Sequence, residues 1–288
     1  MSVITKMKDE VMLEVIASEE REQTPSLRQQ TRKSLMVSQR VLSIVPPLVL
    51  GIIILAAWYA STTYGHINGL ILPTVGEVLS SLASNLANGL FFNSALITIQ
   101  ESLTGFLLAV LIALPVGYGI ARFRLFAATF QPYLAAGQAI PAIVIAPVLY
   151  LILGYGTITI TILCMLIVLF PMVITTALGF QTIDQTLIDA ARVEGASGWP
   201  MLFHIEFPLA LPAILAALRT GLTLSITGAI VGEFVTQGST QGLGALILTS
   251  TEQYDKPLLF ATLVILGVLA AVYYGASWLL VRLANAIY

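Results

Sequence analysis

Residues 189–208 read DAARVEGASGWPMLFHIEFP and form a polar loop between two strongly apolar stretches of the chain. The loop has an ordered spacing: the triplet DAA at 189–191, three residues, Gly195, nine residues, Ile205, and finally Pro208. Glycine permits a sharp bend of the backbone, and proline is favoured at the start of a helix. The stretch therefore predicts two short helices joined by a glycine bend, followed directly by an apolar helix.

The composition supports a membrane protein independently of this loop. The chain is 57% hydrophobic and 10% charged, whereas soluble domains are about 25% charged. Its mean hydropathy is +0.92, and its net charge of −2 gives no indication of nucleic-acid binding. The single cysteine, Cys164, cannot form an intrachain disulfide, and it is predicted to pack as a small hydrophobic residue. The sequence contains no zinc-binding or haem-binding spacing.

Six stretches are long enough to cross a bilayer as helices, which requires about 20 mostly apolar residues. They cover approximately residues 42–64, 96–119, 133–153, 157–180, 209–232 and 258–281. The third and fourth are separated only by a Gly-Tyr-Gly turn at 154–156, but a single crossing of about 48 residues would be too long. We therefore predict an all-α integral membrane fold with about six spans, in which Pro208 opens the fifth.

The positions of lysine and arginine predict the orientation of these spans. Basic residues precede span 1 and follow spans 2, 4 and 6. The loops that follow spans 1, 3 and 5 contain a single basic residue, Lys256. Since basic residues concentrate on the cytoplasmic side, both termini and the loop at 182–208 are predicted to be cytoplasmic. The basic residues on that side that lie closest to the spans are Arg28, Arg32, Lys33, Arg40, Arg122, Arg124, Arg192 and Arg282.

Residues 70–92 are predicted to lie on the opposite side of the membrane. Thr74 and Glu77 have the spacing of a capping box, which predicts a helix that starts near Val75. The apolar stripe of this helix is expected to comprise Val78, Leu79, Leu82 and Leu86. The helix is therefore expected to lie along the outer membrane face.

The loop at 189–208 resembles the cytoplasmic EAA loop of binding-protein-dependent ABC importer permeases, E-A-A-x3-G-x9-I-x-L-P. Five positions match this pattern, and two depart from it. Ala190, Ala191, Gly195, Ile205 and Pro208 match, while Asp189 stands for the glutamate and Phe207 for the leucine. The resemblance identifies residues 41–288 as the permease domain of a type I importer fold.

In that family the EAA loop docks on an ATPase, so we name residues 182–208 the coupling segment. Its first helix is predicted over 186–194 and its second over 197–203. The chain lacks the G-x-x-x-x-G-K-[ST] phosphate loop, so ATP is expected to bind to a partner and the chain itself to have no catalytic residues and no cofactor. The resemblance implies a cytoplasmic ATPase dimer, a second permease copy or paralogue, an extracytoplasmic solute-binding protein, and a bacterial inner membrane.

Two other segments resemble one branch of this family. Residues 72–78, LPTVGEV, and residues 232–247, GEFVTQGSTQGLGALI, are similar to permeases for nitrate, sulfonates and taurine. Residues 255–266, DKPLLFATLVIL, resemble permeases for pyrimidine thiamine precursors or riboflavin within that branch. The substrate expected from these resemblances is a nitrate-like or sulfonate-like anion, or a vitamin precursor.

Few polar residues lie within the spans, and those that do are candidates for a translocation pathway. Intramembrane polar groups usually face the interior of a bundle or a cavity. We single out Gln138, Arg219 and Glu233, although Arg219 could instead pair with an acidic neighbour and Glu233 could lie at the membrane interface. The G-x-x-x-G pair Gly228 and Gly232 predicts close helix packing, either within the chain or across a two-fold interface.

Two other classes of protein are compatible with an apolar chain of this length. A self-sufficient secondary transporter or channel would need broken-helix ion sites repeated in two halves, and the sequence shows no such repeat. A membrane enzyme would need a catalytic set, which is missing. Residues 1–40 hold seven of the 13 basic and six of the 15 acidic residues, and they are predicted to form a polar cytoplasmic tail. The alternative is a short helix over 11–16 that contacts the ATPase or the membrane surface.

Overall fold

The computed structural model describes residues 46, 49–64, 72–236 and 241–287, and the secondary structure of this part of the chain is entirely helical. The chain divides into two compact units, residues 1–67 and 68–288. The described part of the first unit is one apolar helix, α1 (Val49–Thr63). The predicted tail over 1–40 and the start of the first predicted span lie outside the described residues.

The second unit contains ten α-helices and one π-helical turn in its described residues. In chain order they are α2 (Val75–Ala87), α3 (Leu90–Arg122), α4 (Arg124–Ala139), α5 (Ala142–Leu153), α6 (Thr157–Gln181), α7 (Gln185–Val193), α8 (Gly198–Met201), the π turn (Leu202–Glu206), α9 (Phe207–Val235), α10 (Leu243–Glu252) and α11 (Lys256–Ile287).

Four helical stretches are long and apolar enough to cross a membrane: Leu90–Arg122, Thr157–Gln181, Gly198–Val235 and Lys256–Arg282. They confirm the second, fourth, fifth and sixth predicted spans, and each extends beyond its predicted bounds. Helices α4 and α5 add a fifth span if the two are counted together, and α1 is a shorter apolar helix. The all-α membrane fold predicted from the sequence is confirmed.

The third predicted span, over 133–153, consists of two helices, α4 and α5, rather than one. It begins earlier, at Arg124, and it breaks between α4 and α5 with a bend of 102°. Pro141 causes the break, because proline has no N–H and disfavours a helical conformation of the preceding residue. Ile140 accordingly adopts extended backbone angles, φ −80° and ψ 120°.

Close packing of α3 on α6 forms one side of the core. Gly105 of α3 faces Cys164 of α6, and a Cβ atom added at Gly105 would lie 2.7 Å from the Cys164 Cβ. Farther along, Gly117 faces Thr176 in the same way, at 2.8 Å. The positions of these contacts increase together along both helices, so α3 and α6 run parallel. Cys164 is fully buried, as predicted for a small packed residue.

Helix α9 packs against the other side of α6 and runs antiparallel to it. Gly228 lies against Cys164, and Gly232 lies against Ile160. The G-x-x-x-G pair therefore packs within the chain, which confirms the first of the two alternatives given for it. We call the end of the bundle that carries the coupling segment the coupling end, and the other end the distal end.

Helix α2 has the predicted capping box. The Glu77 N–H donates to Thr74 Oγ1 at 3.3 Å, and the Thr74 N–H donates to Glu77 Oε2 at 2.8 Å. The apolar stripe is narrower than predicted, since only two of its four members pack inward. Val78 is buried and Leu82 is half-buried, whereas Leu79 and Leu86 are exposed.

Candidate functional site

The coupling segment begins at an N-capping aspartate. The Thr186 N–H donates to Asp184 Oδ1 at 2.9 Å, which fixes the first turn of α7. This hydrogen bond lowers the pKa of the Asp184 carboxyl because it stabilises the ionised form. Helix α7 therefore starts at a defined residue, one position earlier than the sequence predicts.

The coupling segment has a small hydrophobic core of its own. Ile188, Ala191 and Met201 are buried, and Ile183, Ala196 and Ile205 pack against them. This core joins α7 to the helical run that begins with α8. Since the two short helices share one core, they are expected to move as a unit.

Gly195 ends α7 in a Schellman motif. The Gly195 N–H donates to the Arg192 carbonyl at 3.0 Å, and the Ala196 N–H donates to the Ala191 carbonyl at 2.9 Å. This pattern requires a left-handed residue at Gly195, where φ is +91°. The glycine of the predicted bend is thus required by the backbone, while the space around its α-carbon is open.

The motif residues divide between the inside and the outside of the coupling segment. Ala191 and Ile205 belong to the core, whereas Asp189, Ala190 and Gly195 are exposed. Adjacent residues of a helix point about 100° apart, so Ala190 and Ala191 do not form one small face as expected from the sequence. The exposed residues are the ones available to a docking partner.

Asp189 also forms an ion pair within α7. Its Oδ1 lies 2.8 Å from the Arg192 guanidinium, one turn later in the helix. Both side chains are largely exposed, so the pair adds little to stability. It does, however, orient the Asp189 carboxylate along the outer surface of α7.

The second part of the coupling segment is continuous with the fifth span. Helix α8, the π turn and α9 form one helical run, Gly198–Val235. In the π turn the Phe207 N–H donates to the Leu202 carbonyl, five residues earlier. Pro208 is the second residue of α9 and so lies at its start, as predicted, although the helical run itself begins ten residues earlier, at Gly198. The wider π turn accommodates Pro208, which lacks an N–H and crowds the preceding turn of an α-helix.

An exposed aromatic pair was missed in the sequence. Trp199 and Phe203, one helical turn apart, stack with ring centroids 5.5 Å apart. Their exposed fractions are 72% and 56%. Large exposed aromatic rings are typical of the strongly contributing residues of protein interfaces. The i, i+4 spacing of these two aromatic residues is the sequence feature from which the pair could have been predicted.

A second missed feature connects the coupling segment to α3. Glu206 of the π turn is buried, and it lies beside Tyr118 of α3, which also neighbours Arg122. These three residues and Arg192 line a cavity of about 620 Å³ between the coupling segment and the end of α3. The polar cluster links the π turn to the end of a second span.

At the distal end, Glu233 is fully buried and anchors α10. Its carboxyl accepts hydrogen bonds from the Thr98 hydroxyl at 2.7 Å, the Ala245 N–H at 3.2 Å and the Gly244 N–H. The Thr98 hydroxyl in turn accepts from the Leu243 N–H at 2.9 Å. These contacts account for the burial of Glu233, whose role as a pathway residue stays a prediction.

Two glycines make room for the Glu233 carboxyl. A Cβ at Gly242 would lie 2.1 Å from Glu233 Oε1, and one at Gly244 would lie 2.7 Å from Oε2. The sequence G-L-G at 242–244 is therefore explained by the close approach of this side chain. Glu101 is also fully buried, and neither of its oxygens has a hydrogen-bond partner among the described residues.

Arg219, near the middle of α9, contacts a tyrosine. Its guanidinium donates to the Tyr274 hydroxyl at 3.1 Å and lies 5.2 Å from the centre of that ring. In the described part of the chain it has no acidic partner within ion-pair distance. Arg219 and Glu233 are 14 residues apart on one helix, or about 21 Å, so the two do not form one site.

Gln138 lies at the break between α4 and α5. Its side chain is exposed on the surface of the chain and lines a cavity of about 410 Å³ between the break and α6. Neither Arg219 nor Glu233 lines this cavity. The three pathway candidates therefore occupy three separate places.

Residues 105–286 match the protein family described as "Binding-protein-dependent transport system inner membrane component". The chain belongs to this family. It is accordingly a permease component of an ABC transporter, and in such transporters the ATPase is a separate subunit. The matched range contains the whole coupling segment and all three pathway candidates.

Individual relatives of this permease differ in the solute that they are named for. The riboflavin transport system permease protein RibX of Chloroflexus aurantiacus is 37% identical over 262 residues, covering 88% of this chain and 97% of RibX. The glycine betaine/proline betaine permease ProW of Escherichia coli is 30% identical over 175 residues, which is 60% of this chain and 46% of ProW.

Solved structures of similar fold are ABC transporters. The inward-facing MetNI methionine transporter superimposes with a TM-score of 0.60 at 20% identity, covering 67% of this permease and 95% of that chain. An amino acid ABC transporter gives a TM-score of 0.56 at 16% identity, covering 70% and 97%. At these identities the likeness establishes the fold, which is that of type I importer permeases.

Proposed function

We propose that this permease, paired with a second copy or a paralogue, forms the translocation pathway of an ATP-driven importer in a bacterial inner membrane. The solute is delivered by an extracytoplasmic binding protein, and a cytoplasmic ATPase dimer supplies the energy. The observation that carries the proposal is the coupling segment. It presents Asp189, Ala190 and Gly195 outward on a compact unit that is continuous with a membrane span.

The geometry supports a direct mechanical role for this segment. The exposed residues of α7 and the Trp199–Phe203 pair offer a docking surface to the ATPase. Closure of the ATPase dimer would draw two such segments together. Because the segment shares one core, it would move as a body. The movement would pass to α9 through the π turn and to α3 through Glu206 and Tyr118.

The substrate proposal is a small solute of one of two classes. Similarity to RibX over almost the whole chain supports a vitamin-like ring compound. The resemblance of residues 72–78 and 232–247 to nitrate and sulfonate permeases supports a small anion. The alternative function, a self-sufficient secondary transporter or channel, is not favoured, because neither would need a segment built for an ATPase.

The dependence on a partner can be measured directly. We expect the purified chain alone to hydrolyse no ATP, because its sequence contains no phosphate loop. Reconstituted in liposomes with its ATPase and binding protein, it should support solute uptake only when ATP is present. Solute uptake that proceeds at the same rate without ATP or ATPase would instead indicate a secondary transporter.

The proposed orientation is testable with single cysteines. In a Cys164→Ser background, Thr157→Cys and Ser239→Cys should react with an impermeant thiol reagent in intact cells, while Ser38→Cys should not. Thr157 is exposed at the start of α6, and Ser38 and Ser239 lie outside the described residues. Serine suits position 164 because its hydroxyl can donate to the Ser225 carbonyl, as the thiol does. Strong labelling at position 38 in intact cells would refute the orientation.

A further inference from the structure

The cavity at the break between α4 and α5 is lined almost entirely by apolar residues. Its volume of about 410 Å³ lies in the range of ligand pockets. Among the described residues that line it, Gln138 has the only polar side chain and none is charged. Phe170, Pro141 and Pro171 contribute flat apolar surfaces.

The break itself adds backbone hydrogen-bonding groups to this lining. The last carbonyls of α4 and the first N–H groups of α5 have no partners within their own helices. Non-helical backbone at membrane depth is tolerated only where it is buried in protein or lines a cavity. Gly137, Ile140 and Ala142, which flank the break, all line the cavity. It therefore offers acceptors and donors side by side.

The electrical character of the two helix ends excludes a strong preference for an ion. The C-terminal end of α4 carries partial negative charge, and the N-terminal end of α5 carries partial positive charge. These two partial charges meet at the break and offset each other. Burying an anion here would remove it from water without a cationic partner, which costs several kcal/mol or more.

We propose that this cavity binds the transported solute, and that the solute is an uncharged planar heterocycle with hydrogen-bond donors and acceptors along one edge. This inference rests on the proposed function and selects the ring compound over the small anion. The ring lies between Phe170 and the prolines, and its polar edge meets the break and Gln138. The amide of Gln138 can give two hydrogen bonds and accept others, so it matches such an edge.

Gly137 helps to shape this site. A Cβ atom at Gly137 would lie 2.5 Å from the ring atoms of Phe170, so only glycine lets that ring lie against the break. Gln138 makes no hydrogen bond within the described residues, which leaves its amide available to a ligand. Gln138 is accordingly assigned as a specificity-determining residue for the solute.

The experiment compares two glutamines on one helix. Gln131 lies two turns before Gln138 on α4, is also exposed, and lines a different cavity. The complete transporter, with its ATPase and binding protein, is reconstituted in liposomes. ATP-driven uptake of riboflavin, a thiamine-precursor pyrimidine, nitrate and taurine is then measured for the wild type, Gln138→Leu and Gln131→Leu.

We expect uptake of a ring compound that excess nitrate or taurine does not inhibit. Gln138→Leu should lower this uptake about tenfold, the effect of losing roughly one well-formed hydrogen bond to the solute, whereas Gln131→Leu should leave it unchanged. The inference is overturned if the transporter imports nitrate or taurine, if neither ring compound is imported, or if the two variants behave alike. The proposed function fails separately, if the permease neither stimulates its ATPase nor supports ATP-driven uptake of any solute.

Discussion

Replacement of Glu233 by leucine is expected to lower the thermal unfolding midpoint of the purified permease by about 8 °C. The leucine removes the acceptor of three hydrogen bonds, from the Thr98 hydroxyl and from the N–H groups of Gly244 and Ala245. Two buried backbone donors are then left without partners. The cost is about 3 kcal/mol, because an unsatisfied buried donor loses its full hydration without compensation.

Two control substitutions separate this anchoring role from a general effect of removing an acidic side chain. Glu233→Gln retains an oxygen for the two N–H groups of α10 and should lose about a third as much stability. Glu252→Leu makes the same chemical change at an exposed position near the end of α10 and should leave the midpoint unchanged. If all three variants unfold at the wild-type temperature, Glu233 does not anchor α10, and its burial needs another explanation.

Gly195→Leu is expected to abolish uptake while the permease still accumulates in the membrane. At φ +91° a leucine is strained by about 1–3 kcal/mol, so the Schellman turn should rearrange and tilt α7. The open space around Gly195 means that no neighbouring side chain is displaced. The expected measurement is an at least tenfold loss of ATPase co-purification, since each 1.4 kcal/mol lost from an interface weakens binding about tenfold.

Gly89 provides a close control for backbone strain. It has φ +73°, no atom within 4 Å of an added Cβ, and a position between α2 and α3, at the distal end. Gly89→Leu should therefore cost similar stability without changing ATPase co-purification. Uptake and ATPase co-purification at wild-type levels in Gly195→Leu would mean that the coupling segment is not the docking site.

The sequence predicts those parts of the fold that depend on local pattern. Apolar length identifies the spans at 157–181 and 256–282, and the capping box places the start of α2 at Val75. The bend at Gly195 follows equally from its residue type. These features need only a short window of sequence, because the forces that produce them act within one helix or one turn.

The parts of the fold that the sequence does not predict depend on contacts between residues far apart in the chain. Thr98 and Glu233 are 135 positions apart, and only the packed bundle brings them together around the start of α10. The sequence shows a proline at 141, but it does not distinguish this proline from those that lie inside helices without breaking them. The latter are at 115, 132, 147, 171 and 212. Whether a proline breaks a helix depends on what surrounds it.

The unbroken helical run from Gly198 to Val235 has a mechanical consequence. Its 38 residues extend about 57 Å, so a tilt of about 10° about one end would carry the other end through roughly 10 Å. Glu233 sits near the end of this lever and fastens α10 to it. A small rotation imposed at Trp199 would thus reach α10 enlarged, by way of the π turn and the body of α9.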